Sequence, residues 1–162
     1  DILLPLQRFL KKCNGKLLLV GAGNIDLPGL CVEVQPWDEN TEVDSMQRFD
    51  VGIMPLRDEP YERGKCGLKL IQYMACSRPV VASPVGVNRR LVVDGENGFL
   101  AENQEQWFEC LQKLHDNPTM RVEMGRKGRL LVQSQYSLEM FQEIFVRHLT
   151  KAVPSKGDYN RP

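Results

Sequence analysis

Residues 63–93 read RGKCGLKLIQYMACSRPVVASPVGVNRRLVV, and their pattern predicts one strand between two helices. Apolar residues recur at helical spacing over 67–76, which predicts a helix. The run PVVAS at 79–83 is almost continuously apolar, as expected of a strand buried on both faces. A short helix is predicted over 88–93, before the turn pair Asp94-Gly95. A buried strand between two helices indicates a parallel sheet.

The same alternation extends along the rest of the sequence. Further strands are predicted at 16–20, 31–34, 51–55 and 98–100, and further helices at 2–12, 40–48, 104–115, 120–133 and 138–149. This predicts an α/β fold, a Rossmann-like doubly wound parallel sheet, as one domain over 1–150 with a polar tail over 151–162. Such a sheet normally opens with a strand. Since this sequence opens with a helix, we expect the first strand to lie outside it.

Charge is segregated along the sequence. The segment 63–93 contains six cations and no carboxylate, whereas the other residues carry 15 cations against 21 anions. The six cations are Arg63, Lys65, Lys69, Arg78, Arg89 and Arg90. They flank two strand-to-helix loops, and in open parallel sheets ligands bind where such loops meet. The basic segment therefore predicts an anion site at the carboxyl edge of the sheet.

The placement of two lysines sharpens this prediction. If the helix begins near Cys66, Lys65 and Lys69 lie at its N-terminal end, where a cation opposes the helix dipole at a cost of about 0.3–1 kcal/mol. A bound phosphate would offset that cost, because a helix N-terminus offers free N–H groups and Gly64 and Gly67 allow close approach. The alternative is a solvated basic helix end whose cations form salt bridges with distant carboxylates.

A longer pattern resembles a known family. The letters GLxxxQxMACxxPVVAS over 67–83 and DGxNG over 94–98 are similar to the C-terminal domain of group 1 GT-B glycosyltransferases. The usual sequence pattern of that domain is EGFGL, then EAMACGxPVVAS, then DGxxG. The resemblance extends over roughly 16–150. It implies one half of a GT-B fold that binds the nucleotide diphosphate of an activated sugar.

Three acids of the family pattern are replaced in this sequence. The Glu that holds the ribose is Gln72, the Glu that touches the sugar is Gly64, and a third common Glu is Arg90. These replacements resemble a subgroup with the pattern GKCGxKxxQYMA. A neutral amide can still donate and accept hydrogen bonds with a diol.

The resemblance implies a set of site residues. Those near the donor phosphates and sugar are Arg63, Gly64, Lys65, Cys66, Gly67, Leu68, Lys69, Gln72, Ser83, Gly86, Val87 and Asn88. Those near the base are Gly21, Gly23, Gln35, Pro36 and Trp37, with Trp37 able either to stack on a ligand or to pack against protein. No catalytic base is identified. Arg63, Lys65 and Lys69 would stabilise the departing diphosphate.

Other classes of function are disfavoured. The zero formal net charge argues against a general nucleic-acid binder, and the incomplete GxG at 21–23 argues against dinucleotide binding. Two isolated histidines and five cysteines without a CxxC pair predict no metal site and reduced, mostly buried thiols. We therefore expect no cofactor besides the nucleotide-sugar substrate.

The resemblance thus implies the donor-binding part of a retaining glycosyltransferase, and the cations at the predicted phosphate site would make a metal unnecessary. Its acceptor, a glycan or lipid, would be bound by an N-terminal domain outside this sequence, so we expect the isolated fragment to be inactive. A cytoplasmic location is expected, with peripheral association of the full-length protein at the inner membrane face left open. Two alternatives are a nucleotide-sugar epimerase, which would need carboxylates or a histidine in the cleft, and a non-catalytic nucleotide-binding α/β domain.

Overall fold

The structure, a computed structural model, describes residues 2–152. The last helix continues to Ala152, two residues into the predicted polar tail, and residues 153–162 of that tail lie outside the described part. No helix within residues 2–152 combines the length and the apolar character needed to cross a bilayer.

The elements alternate as predicted. The strands are β1 Leu17–Val20, β2 Val32–Gln35, β3 Gly52–Met54, β4 Val80–Ala82 and β5 Gly98–Leu100. The helices are α1 Leu3–Cys13, α2 Glu42–Gln47, α3 Pro60–Arg63, α4 Leu68–Ala75, α5 Asn88–Leu91, α6 Gln104–Asp116, α7 Pro118–Gln135 and α8 Leu138–Ala152. Helix α3 is not predicted by periodicity because it is a single turn, begun by a proline at its first position.

All strand pairs in residues 2–152 are parallel, but they form two sheets rather than one. Strand β1 pairs with β2, and β4 lies between β3 and β5 with Ile53, Val81 and Phe99 in register. Strands β1 and β3 do not pair, and a groove of about 1070 Å³ lies between them. The expectation that a first strand lies outside this sequence stays a prediction.

The β3–β5 sheet is covered on both faces, as a doubly wound fold requires. Because side chains alternate along a strand, Val81 points toward α1 and α6, and Val80 points toward α4, α5 and α7. The first face packs Leu6, Phe99, Trp107, Leu111 and Leu114, and the second packs Leu70, Met74, Ala82, Leu91 and Val132. The α/β prediction is confirmed.

The buried residues of α4 are Leu70 and Met74, whereas its first residue, Leu68, is 54% exposed. The helix begins at Leu68 rather than near Cys66. The thiols are free as predicted, but Cys31 and Cys66 are exposed. Helix α8 contributes no buried side chain over 138–150 and exposes several large apolar residues.

Candidate functional site

The carboxyl ends of the strands gather the loops that the sequence singled out. Strand β2 ends at Gln35, β3 leads into the loop at 55–59, and β4 ends just before Ser83. Ser83 joins two of these loops, because its hydroxyl accepts a hydrogen bond from the backbone N–H of Leu56 at 2.9 Å. The loops after β3 and β4 therefore meet at the carboxyl edge of their sheet.

Helix α4 presents an uncapped N-terminus at this edge. Its N-cap residue is Gly67, which has the left-handed backbone conformation (φ 74°) and no side-chain cap. A Cβ on Gly67 would lie 2.9 Å from Cγ1 of Val87 and would also collide with Leu91 of α5. The first turn contains no acid and carries Lys69 at its second position. An N-terminus of this kind suits a phosphate group.

Helix α3 places Arg63 beside this N-terminus. The backbone carbonyl of Arg63 lies against Gly86, where a Cβ would come within 2.6 Å of it. Gly86 (φ 54°) thus allows the loop after β4 to pack on α3. The Arg63 guanidinium donates to Asp58 at 2.6 Å, and this lowers the pKa of the Asp58 carboxyl. Arg63 is therefore paired with a carboxylate in this structure.

Lys65 does not lie where the sequence analysis expected it. It precedes α4 by three residues and continues the turn of α3, its backbone N–H donating to the carbonyl of Glu62 at 3.2 Å. Its ammonium lies 5.3 Å from the centre of the Tyr61 ring. Lys65 is thus outside the helix, and it cannot share a helical face with Lys69 and Gln72. The exposed Cys66 follows it in the same connection.

The structure adds one residue that the sequence analysis missed, Glu42 at the start of α2. Its Oε1 accepts hydrogen bonds from the Lys69 ammonium at 2.9 Å and from Nε1 of Trp37 at 3.0 Å. Its Oε2 accepts one from Nε2 of Gln72 at 3.1 Å. The Lys69 hydrogen bond, followed by that of Trp37, lowers the pKa of Glu42. We call Trp37, Glu42, Lys69 and Gln72 the Glu42 cluster.

The predicted base region lies directly beside the Glu42 cluster. Gly21 (φ 72°) packs against Trp37, whose Cβ would be 3.0 Å from a Cβ on Gly21, and its N–H donates to the carbonyl of Gln35 at 2.9 Å. Pro36 and Gly23 are exposed, and no atom lies within 4 Å of a Cβ on Gly23. Trp37 is 54% exposed, so its ring is available to a ligand.

The loop after β4 supplies the remaining predicted residues. Asn88 is fully buried, and its Nδ2 donates to the carbonyl of Ser83 at 3.0 Å. Its Oδ1 has no hydrogen-bond partner. The adjoining Val87 touches Gly67. Ser83 faces a separate cavity of about 420 Å³ whose lining includes Pro55 and Trp107 but none of the three predicted phosphate-binding cations.

The charge segregation of the sequence does not persist in space. Glu42 and Asp58 come from outside the segment 63–93, and they pair with Lys69 and Arg63. The alternative of a salt bridge with a distant carboxylate is thus seen for Lys69, whose partner Glu42 is 27 positions away, whereas Arg63 pairs with a carboxylate only five positions away. Each pair is largely exposed on its cationic side, with 52% and 58% of the Lys69 and Arg63 side chains accessible, so a solvated anion can still reach both. Within residues 2–152, no three His, Cys, Asp or Glu side chains are grouped as metal ligands.

The family of this chain is shown by the match to its family model, and a curated relative shares part of its sequence. The family model for group 1 glycosyl transferases matches residues 4–117. The D-inositol 3-phosphate glycosyltransferase of Pseudarthrobacter chlorophenolicus is 30% identical over 115 residues, which cover 65% of this chain and 26% of that protein. The chain thus spans about a quarter of that relative's length.

Two solved structures share the fold. HepE of Anabaena, in complex with UDP-glucose, superposes with a TM-score of 0.69 at 17% identity over 91% of this chain and 44% of that one. The C-terminal domain of a group 1 family glycosyl transferase from Francisella tularensis superposes with a TM-score of 0.62 at 19% identity, over 84% of this chain and 77% of that domain. The chain therefore belongs to the group 1 family of glycosyl transferases and has the fold of a GT-B C-terminal domain.

Proposed function

We propose that this chain binds the nucleotide diphosphate of a sugar donor, with the diphosphate at the N-terminus of α4 and the base beside Trp37. One observation carries the proposal: Lys69 and Gln72 lie on one face of α4, and both are tied through Glu42 to Trp37. A cation, an amide and an exposed aromatic ring thus surround one carboxylate, and they are the kinds of group that would contact the phosphate, the ribose and the base of a nucleotide. HepE, which shares the fold, holds UDP-glucose.

The chemistry that these residues support is release of the diphosphate. Negative charge grows on the leaving oxygen as the glycosidic bond breaks, and a cation or N–H group that is already in place stabilises it without reorganisation. Lys69 and the N–H groups of the first turn of α4 would serve that role, and Arg63 and Lys65 border the same surface. No step in this scheme needs a divalent metal.

Gly64 is exposed and stands where the family carries an acid that contacts the sugar. Its φ of −81° is open to any residue, and a Cβ would meet the backbone carbonyls of Tyr61 and Pro60 at 3.5 and 3.9 Å, which is ordinary contact. The fold therefore does not require glycine where the family carries an acid. We infer that the missing carboxylate reflects a sugar that is bound differently from the usual donors of the family.

A thermal-shift and calorimetric comparison tests the proposal. UDP, GDP and ADP are compared with uridine, guanosine and adenosine, each with and without EDTA. We expect at least one diphosphate to raise Tm, its nucleoside to do so far less, and EDTA to change neither. If no diphosphate exceeds its nucleoside, the paired cations are structural and the proposed function is wrong.

Stereochemistry, acceptor and location are properties of the full-length protein. We propose that it transfers the sugar with retention to a glycan or lipid held by a second domain, on the cytoplasmic side, and that the 162-residue chain alone transfers little. NMR of the first product formed by the full-length enzyme distinguishes retention from inversion. Measured turnover by the 162-residue chain would contradict the last point.

A further inference from the structure

We infer that Glu42 is a positioning residue of the donor site, which holds the base-stacking, phosphate-binding and ribose-binding side chains in one arrangement before the nucleotide arrives. The inference rests on the proposed function and deepens it. It concerns a residue of α2 that contributes to the site only through its three partners. Those partners come from two separate parts of the sequence, the loop after β2 and helix α4.

The geometry gives Glu42 a central place in its cluster. One carboxylate accepts three hydrogen bonds, from an indole N–H, an ammonium and a side-chain amide, at 2.9–3.1 Å. The Glu42 side chain is only 19% exposed, whereas Lys69 is 52% and Trp37 54% exposed. The acid therefore lies beneath Lys69 and Trp37, which face solvent, and Gln72 is half-buried beside it.

The partners keep their capacity to bind a ligand while they are held. A lysine ammonium has three donors, and the contact with Glu42 uses one of them. The Trp37 ring can stack on a base while its N–H points to Glu42. Gln72 Oε1 is buried without a hydrogen-bond partner, which is uncommon in a network that serves stability alone. A small rotation of this amide would offer Oε1 to a ribose hydroxyl.

Charge alone predicts the opposite role for Glu42. A carboxylate beside an anion site weakens anion binding. If Glu42 and the phosphate simply compete for Lys69, removing Glu42 should therefore tighten binding. If Glu42 positions its partners, removing it leaves the ligand to order a lysine, a glutamine and a tryptophan, which costs affinity. The two accounts therefore predict opposite signs for one substitution.

The experiment compares Glu42→Gln with Asp44→Asn in the 162-residue chain. Asp44 lies on α2 and is exposed. The substitution Asp44→Asn removes the same unit charge without touching the Glu42 cluster. Affinity for the best of UDP, GDP and ADP is measured by calorimetry. Acrylamide quenching of Trp37 is measured in a Trp107→Phe background, because Trp37 and Trp107 are the only tryptophans of the sequence.

We expect Glu42→Gln to weaken diphosphate binding about tenfold and to increase quenching of Trp37, with an unchanged circular dichroism spectrum. Asp44→Asn should change affinity less than twofold and leave quenching unchanged. Tighter binding by Glu42→Gln, or equal effects of the two substitutions, would overturn the inference while leaving the proposed function intact. If the wild-type chain binds no diphosphate, the proposed function fails, and this inference fails with it.

Discussion

Replacing Gly67 by alanine tests whether the N-terminus of α4 is built as the structure shows. Gly67 has a left-handed φ of 74° and packs its bare Cα against Val87 and Leu91. Alanine would place a methyl group where both side chains already lie. Gly64, three residues earlier, is the matched control, since its φ is −81° and its nearest atom to an added Cβ is 3.5 Å away.

The expected loss follows from two terms. A left-handed conformation costs an alanine roughly 1–2 kcal/mol relative to glycine. Forcing a methyl group against packed side chains costs about 1–3 kcal/mol, because α5 must shift to accept it. The free energy of unfolding should therefore fall by about 2–5 kcal/mol in Gly67→Ala. Gly64→Ala should instead gain about 0.4–1 kcal/mol, because the unfolded chain loses freedom.

Urea unfolding followed by circular dichroism measures both changes, and thermal unfolding gives a second estimate. A loss of that size lowers Tm by about 4–20 °C in a chain of this length. If Gly67→Ala and Gly64→Ala have the same stability within about 0.5 kcal/mol, then α5 does not pack against the N-cap of α4. In that case the approach of a phosphate to this backbone would lose its structural basis.

Three further predictions follow from the same site and the adjoining helix. Lys69→Ala should weaken diphosphate binding about tenfold in calorimetry while Tm changes little, because its ion pair is half exposed; an unchanged affinity would place the phosphate elsewhere. Since the folded-state pKa of Glu42 is lowered by Lys69 first and Trp37 second, its contribution to stability is complete above about pH 5 and is lost as pH falls through the lowered value. The Tm of Glu42→Gln should therefore fall less between about pH 5 and 3 than that of the wild type, and parallel curves would contradict this. Removal of residues 138–162 should leave the core and diphosphate binding intact, because the described side chains of α8 are not buried; a Tm drop of more than about 10 °C would refute this.

The fold was largely predictable because its signals are local. Buried parallel strands have short apolar runs, and amphipathic helices have apolar residues every three or four positions. The strand at 79–83 and the helix at 104–115 can therefore be predicted from their own residues alone. The start of α4 was misplaced because it depends on the left-handed backbone of Gly67, which periodicity does not report. The four-residue α3 is too short to show a period.

The candidate site was only partly predictable because its electrostatics are not local. An acid-free run of 31 residues indicates a basic surface, yet Glu42 reaches Lys69 and Gln72 across 27 and 30 positions of sequence. No spacing rule links residues that far apart on different elements. The one available signal was position, since residues 35–40 follow a strand at the ligand edge and Glu42 opens the next helix.

The replacement of the family's ribose-binding Glu by Gln72 gains an explanation from this geometry. In this chain a carboxylate is already present 3.1 Å from the Gln72 amide, supplied by Glu42 of α2. A second carboxylate at position 72 would face the first across the same short distance, and like charges that close disfavour joint ionisation. An amide there donates to Glu42 instead, so the pair Glu42–Gln72 keeps one acid in the cluster with Lys69 and Trp37. With an amide at position 72 the cluster holds one carboxylate, and that carboxylate accepts hydrogen bonds from Lys69, Trp37 and Gln72 at once.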